Sequence, residues 1–235
     1  MSTEQKMRTR CLPADAATLA EAGRILRGHG LVAFPTETVY GLGADATSGE
    51  AVAKIYAAKE RPEFNPLIAH CADQEHAELY GLFDDNARLL AKTFWPGPLT
   101  LVVPARENCA VSDLARAGLN SVALRVPAHP VAQALLREAG VPVAAPSANR
   151  SGRVSPTHAG HVMGDLDGRI DLVIDGGACD VGVESTIVSC VDGKVVMLRP
   201  GGIAREEIER VIGRKLEAHE GDAIHAPGML ASHYA

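Results

Sequence analysis

Leu31-Val32-Ala33-Phe34-Pro35-Thr36-Glu37-Thr38-Val39-Tyr40-Gly41-Leu42-Gly43-Ala44-Asp45-Ala46 opens on four apolar residues that predict a strand. Behind them stand two threonines, a carboxylate, a tyrosine and two glycines, more polarity than core packing calls for. Hydroxyls and glycines directly after a strand can offer hydroxyl oxygens and bare backbone N–H groups to a small polar ligand, because glycine permits tight turns and close approach. The plainer alternative is a tight, satisfied turn. The rest of the chain decides between them.

Just upstream, Ala14 to Gly28 predicts a helix, with Leu19, Ala22 and Leu26 on one face, Asp15 as N-cap and Gly28 and Gly30 at its exit. Downstream, Val52, Ile55, Tyr56 and Lys59 recur at helical spacing, so Lys59 falls on the apolar, inward stripe. An inward lysine calls for an anion, unless it snorkels past the stripe to solvent. Lys59-Glu60-Arg61-Pro62-Glu63-Phe64-Asn65-Pro66 stops that helix through its two prolines and sets Arg61 on a stiff loop beside Lys59. Leu67 to Cys71 reads as a buried strand with His70 near its end, a position where a histidine is more often packed and hydrogen-bonded than catalytic.

The middle of the chain alternates. Asp85 to Phe94 predicts a helix, Trp95-Pro96-Gly97-Pro98 a rigid turn and Leu99 to Val103 a strand, whereas Asn108 to Asn120 is less regular. In Ser121 to Pro127 a period of two puts Val122, Leu124 and Val126 on one face and Ser121, Ala123 and Arg125 on the other. An arginine among small residues faces something polar, or water at a sheet edge. A helix from His129 to Ala139 opens on Pro130, and the short strand Val141 to Ala145 follows.

That strand runs into Pro146-Ser147-Ala148-Asn149-Arg150-Ser151-Gly152-Arg153-Val154-Ser155-Pro156-Thr157, rich in hydroxyl, amide and guanidinium groups, ahead of a helix expected to open at Thr157. A helix N-terminus favours an anion, which makes this loop a second candidate site. Ile170 to Gly177 reads as a strand ending in glycines. Asp192-Gly193 joins Gly182–Cys190 and Lys194–Gly201 as a hairpin, and Ala204 to Ile212 is a last helix.

Composition narrows the chemistry. With 46% hydrophobic and 22% charged residues, the 235-residue chain reads as one large globular domain, with or without a small appendage, and the 4% aromatic content makes its core mainly aliphatic. Net charge is −6, from 23 Lys plus Arg against 29 Asp plus Glu, which argues against broad binding along a nucleic-acid backbone. Five scattered cysteines, none in a C-x-x-C pair, read as reduced thiols. No apolar run reaches the length of a membrane span, so a cytoplasmic location without membrane contact is expected.

Familiar phosphate and metal devices are missing or weak. No G-x-x-x-x-G-K-[ST] loop and no G-x-S-x-G elbow occurs. Gly41 to Ala46 matches a loose dinucleotide spelling but stands off from the first strand, and His158-x-x-His161 lacks carboxylate or thiolate partners for a metal. There remain Lys59, Arg61, Arg125 and Arg199, dispersed along an acidic chain beside strand ends and hydroxyl-bearing loops. Converging on one cleft, they would suit a polyphosphate and stabilise charge on a transferring phosphoryl or nucleotidyl group.

Six blocks, in order, carry a resemblance. Pro35-Thr36-Glu37-Thr38-Val39-Tyr40-Gly41-Leu42, Lys59-x-Arg61, Pro66-Leu67, Pro146-Ser147-Ala148-Asn149-x-Ser151-Gly152, Gly182-Val183-Glu184-Ser185-Thr186 and Leu198-Arg199-Pro200-Gly201 together resemble the YrdC-like domain of L-threonylcarbamoyladenylate synthases, over residues 15 to 213. The resemblance implies a mixed α/β fold, a twisted open sheet flanked by helices with a concave basic groove. It further implies a nucleotidyltransferase that makes threonylcarbamoyl-AMP and pyrophosphate from L-threonine, bicarbonate and ATP, with Mg2+ accompanying the ATP, for modification of tRNA adenosine. Transient partners would be tRNA or tRNA-modification proteins. A non-catalytic platform for double-stranded RNA or tRNA is the alternative, disfavoured by the acidic balance.

Carried over by position, Lys59, Arg61, Ser147 and Asn149 resemble the family's catalytic set on the nucleotide phosphates. Asn65, Ser121, Ser155, Arg199 and Tyr234 resemble further ATP contacts, and Thr38, His70, Arg125, Ala145 and Ser185 the threonine pocket. No residue is assigned to a protein-held metal. Pro227-Gly228-Met229 with His233-Tyr234 resembles the linker that in longer members lies over the active site and leads to a second domain, and the sequence stops within it. Residues 1–213 are accordingly assigned to the catalytic domain and 214–235 to that linker. The opening stretch then reads as a wall of the amino-acid pocket, shaped by Gly41 and Gly43.

Overall fold

The computed structural model describes residues 8–62 and 65–217. In chain order these form β1 (Arg10–Pro13), α1 (Ala16–Arg27), β2 (Val32–Pro35), β3 (Tyr40–Asp45), α2 (Gly49–Lys59), β4 (Ile68–His70), α3 (Gln74–Glu78), α4 (Asp85–Phe94) and β5 (Leu99–Pro104). There follow α5 (Asp113–Arg116), β6 (Ser121–Arg125), α6 (Pro130–Ala139), β7 (Val143–Ala144), α7 (Ala159–Leu166), β8 (Leu172–Asp175), β9 (Thr186–Val191), β10 (Lys194–Arg199) and α8 (Arg205–Ile212).

Local chemistry sets these boundaries. Asp15 caps α1 by accepting from Thr18 N at 2.8 Å, and Asp84 caps α4 by accepting from Ala87 N at 2.8 Å. Each satisfies a backbone donor that the first helical turn leaves without a partner. Gly140, at φ 65, closes α6 in the left-handed conformation that glycine adopts at little cost. Asp192 and Gly193, both at positive φ, turn β9 back onto β10 as the Asp-Gly signal predicts.

The ten strands make one mixed sheet in the order β1-β8-β2-β3-β7-β4-β6-β5-β9-β10. Strand pairs β1/β8, β2/β8, β4/β6 and β5/β9 are parallel; the others are antiparallel. One difference from the sequence reading concerns the opening stretch itself. Tyr40 to Asp45 is a fully buried strand pairing with β2 on one side and β7 on the other, so its glycines lie inside a sheet. A Cβ on Gly43 would stand 2.9 Å from both Phe34 Cε1 and Val143 Cγ1, closer than side chains pack. Gly43 is there for close packing.

Packing differs between the two parts of the sheet, and this creates the groove. Around β2 and β8, α1 and α6 cover one face through Ala22, Leu26, Leu135 and Leu136. The opposite face of the sheet packs on α2, α4, α7 and α8 through residues such as Ile55, Leu90, Val162 and Ile208. Across β4, β6, β5 and β9 the remaining face carries a small cluster, Ile68, Val102, Ala123 and Ile187, built from strand residues alone. Beyond Gly213 the described chain stays packed: Leu216 is buried and Glu217 N donates to Val195 O at 3.0 Å. Residues 218–235, including Tyr234, lie outside the described residues.

Candidate active site

Strand periodicity places the polar groups of that face. Two residues on from Ile68 is His70, and two on from Ala123 is Arg125; two before Val102 is Thr100, and two before Ile187 is Ser185. Alternation sends each to the same side as the small apolar cluster. Register then lines them up, since His70 pairs with Arg125 and Arg125 with Thr100. Thr100 Oγ1 lies 2.8 Å from Ser185 Oγ. A row of polar side chains thus crosses four strands, and His70, Arg125 and Ser185 of that row line an open cleft, with Thr100 fully buried.

Two loops wall the cleft. The loop after β7 runs antiparallel to β3, with Leu42 N donating to Pro146 O at 2.7 Å and Ala148 N to Tyr40 O at 2.8 Å. Gly41 allows this approach, because a Cβ there would stand 3.2 Å from that of Ala145. Opposite, Val181 N and Gly182 N donate to Glu37 O and Thr38 O. The stretch from Thr36 to Gly41 is thereby held between both loops.

Of the residues expected at the site, Thr38, Arg61, His70, Arg125, Ala145, Ser147, Ser185 and Arg199 line this one cleft. The convergence of cations, which sequence could not show, involves Arg61, Arg125 and Arg199. Lys59 stands behind the wall, 1% exposed, with Nζ donating to Ser147 O at 2.6 Å and to Asn149 O. Asn149 faces the same loop, donating from Nδ2 to Arg150 O and Arg153 O, and its buried Oδ1 has no partner among the described residues. Asn65 is likewise buried, and its Oδ1 has no partner among the described residues. Ser155 Oγ donates to Glu184 Oε1 at 2.8 Å behind the lining. Ser121 sits four residues along β6 from Arg125, roughly 13 Å away, and does not line the cleft.

Two carboxylates escaped the sequence reading. Glu37 pairs with Arg125 at 2.7 Å, and Glu184 pairs with Arg199. Both residues lie inside the quoted motifs, but each partner is distant in sequence, so nothing local announces the pair. Arg61 is different: its recorded bonds go to the carbonyls of Asn65 and Pro66, and its Nε is buried without a partner among the described residues. Burial, with Arg199 nearby, lowers its pKa to about 10, still well above neutrality. It is the cleft arginine most available to an incoming anion.

Burial acts harder on the other bases. Desolvation, aided by the neighbouring Arg61, brings Lys59 down to about 7. Desolvation, with Arg125 alongside, brings His70 down to about 3, so its ring is neutral at physiological pH. His70 Nδ1 is buried and has no partner among the described residues. Elsewhere, the His158 and His161 rings meet edge-on, with His161 Nδ1 accepting from Thr157 N at 3.4 Å.

This fold and cleft define a class. A family model described as Sua5/YciO/YrdC, telomere recombination, matches residues 24–201, and the chain belongs to that family. Within it, the chain is 53% identical over 222 residues to the threonylcarbamoyl-AMP synthase of Bacillus subtilis (strain 168), covering 92% of this chain and 64% of the relative. It is 49% identical over 221 residues to the threonylcarbamoyl-AMP synthase of Pyrococcus abyssi, covering 91% and 64%. A solved structure of P. abyssi Sua5 complexed with L-threonine matches with a TM-score of 0.89 at 45% identity, covering 94% of this chain and 67% of that one. The chain thus spans 64% of the length of these two curated relatives.

Proposed function

We propose that this chain is a nucleotidyltransferase of the cytoplasm that makes threonylcarbamoyl-AMP from L-threonine, bicarbonate and ATP, for transfer to tRNA adenosine. The observation that carries the reading is the gathering of two polar groups in one cleft. Arg125 donates to Thr38 and pairs in register with the neutral His70, while Arg61 and Arg199 neighbour each other in the same lining, which Ser147 shares. The first suits an α-amino acid, the second a polyphosphate. Relatives named threonylcarbamoyl-AMP synthase, and a P. abyssi neighbour holding L-threonine, support the assignment.

The chemistry needs positioning more than covalent help. The threonine amine attacks the carbon of bicarbonate and water leaves, giving a carbamate. A carbamate oxygen then forms a bond to the α-phosphorus of ATP while the bond to the bridging oxygen breaks, and its electron pair departs on pyrophosphate. Arg61 and Arg199 would hold the phosphates and offset charge on the leaving group, work that fixed cations in a desolvated site do well. His70, uncharged, would contribute hydrogen bonding rather than acid catalysis.

Mg2+ fits as a companion of the ATP rather than as a resident ion. Among the described residues no group of three His, Cys, Asp or Glu could hold a metal. The cleft carboxylate Glu184 already engages Arg199 and Ser155. Magnesium characteristically binds phosphates, waters and few protein ligands. No helix among the described residues is long and apolar enough to cross a membrane. Mass identification of a product containing threonine, one carbon from labelled bicarbonate and AMP tests the proposal; AMP formed without that conjugate would refute it.

A further inference from the structure

Glu184 joins the two loops that wall the cleft. Its Oε1 accepts from Ser155 Oγ at 2.8 Å, and its Oε2 accepts from Arg199 Nη1. Ser155 belongs to the loop that carries Ser147 and Asn149, and Arg199 ends β10. Arg199 in turn donates to Ser185 O from Nε at 3.1 Å and from Nη2 at 2.9 Å, and to Ser185 Oγ at 3.1 Å. One carboxylate thus fixes a hydroxyl of one wall and a guanidinium of the other.

The backbone beneath it is held as firmly. Gly202 N donates to Glu184 O at 3.1 Å, and a Cβ on Gly201 would stand 2.5 Å from Ser185 C and Thr186 N, so only glycine lets the chain leaving β10 lie against this segment. Cys179 N donates to Thr157 O at 3.0 Å, a second tie between the same two loops. Side-chain exposure is 11% for Glu184 and 3% for Arg199, so little water competes for their bond. By charge alone, a carboxylate in the lining that Arg61 and Arg199 share works against a polyphosphate. What Glu184 adds there is geometry.

The structure assigns Glu184 as a positioning residue of the nucleotide reaction: through Arg199 and Ser155 it holds the Ser147 loop at a fixed spacing from β10, and so sets the width of the cleft. It acts through these two side chains and not on the reacting atoms. The inference rests on the polyphosphate reading of Arg61 and Arg199 proposed above.

Two substitutions separate reach from charge. Glu184→Asp keeps the charge but falls one methylene short, and cannot meet both partners. Glu184→Gln keeps the reach, because its carbonyl can accept from Arg199 while its NH2 donates to Ser155 Oγ once that hydroxyl has turned. Calorimetric titration of the full chain with MgATP and with L-threonine, beside melting temperatures, compares them. Glu184→Asp should weaken ATP roughly tenfold, and Glu184→Gln should weaken it less. Threonine affinity should suffer less than ATP affinity, since Arg199 keeps its bonds to Ser185 O and Oγ. Ser155→Ala breaks the same tie from the opposite loop without touching the Arg199 pair, and it too should weaken ATP. Combined with Glu184→Asp, it should cost clearly less than the two separate losses together.

A larger loss in Glu184→Gln than in Glu184→Asp would make charge the operative property and overturn the inference, and so would tighter ATP binding in either. Additive losses in the double variant, or parent-like ATP affinity in Glu184→Asp or Ser155→Ala, overturn it as well. Equal losses of ATP, threonine and melting temperature in Glu184→Asp would reduce Glu184 to a merely structural residue, with the same result. A parent chain that binds no ATP would remove the polyphosphate reading itself; normal binding by the parent confines failure to Glu184.

Discussion

The side-chain nitrogen of Lys59 lies 2.6 Å from the carbonyl oxygen of Ser147. With a second bond to Asn149 O, and Ser151 N donating back to Lys59 O at 2.9 Å, the end of α2 grips the loop that walls the phosphate end of the cleft. Lys59 therefore shapes that wall from behind. Lys59→Met keeps the aliphatic stem but strands two carbonyls, costing about 1–3 kcal/mol. We expect ATP affinity to fall at least roughly tenfold with threonine affinity retained. Separate titrations with each ligand check this, and equal losses of both would contradict it.

Burial also makes Lys59 a source of pH dependence. Its pKa falls from 10.5 to about 7, so between those values the unfolded chain binds a proton that the folded chain refuses. Stability should rise with pH across that window in the parent and rise less in Lys59→Met. Urea midpoints at pH 7 and pH 9.5 for the two proteins decide the matter; identical slopes would contradict it.

His70 acts at the acid end with the same sign. Its pKa falls from 6.5 to about 3, so its contribution is complete above 6.5 and is lost as pH drops from there toward 3. Acid titration of stability should be shallower in His70→Gln than in the parent over that range. The parent's threonine binding should show no titration attributable to this ring between pH 5 and 8.

Arg61 carries no carboxylate partner among the described residues, so its removal strands no charge; Asn65 O keeps Tyr56 Oη as a donor, only the bond to Pro66 O is lost outright, and folding should stay intact. Arg61→Ala should lower kcat/KM for ATP by roughly 10- to 100-fold, the worth of one or two charge-assisted bonds. An unchanged melting temperature beside that loss is the expected result. Parent-like turnover would remove the proposed phosphate role.

What could be read without the structure followed locality. Asp85 to Phe94 was legible to the residue, because Asp84 caps it and an apolar stripe runs its length. Asp192-Gly193 announced its hairpin, and helical spacing placed Lys59 inward. β3 was not legible, since its glycines answer to Phe34 and Val143 across the sheet and read in isolation as a turn. The exposed edge strand β1 depends on β8, about 160 residues away, and carries little apolar pattern of its own. For the same reason the motifs located Arg61 and Arg199, and strand alternation Arg125, but neither could show that Glu37 and Glu184 hold two of them.

Pyrophosphate release tests the central claim most directly. Purified protein supplied with MgATP, L-threonine and bicarbonate should release pyrophosphate, and omission of any one of the three should stop it. Release that is indifferent to threonine or bicarbonate, or none with all three present beside salt-sensitive RNA binding, would contradict the account.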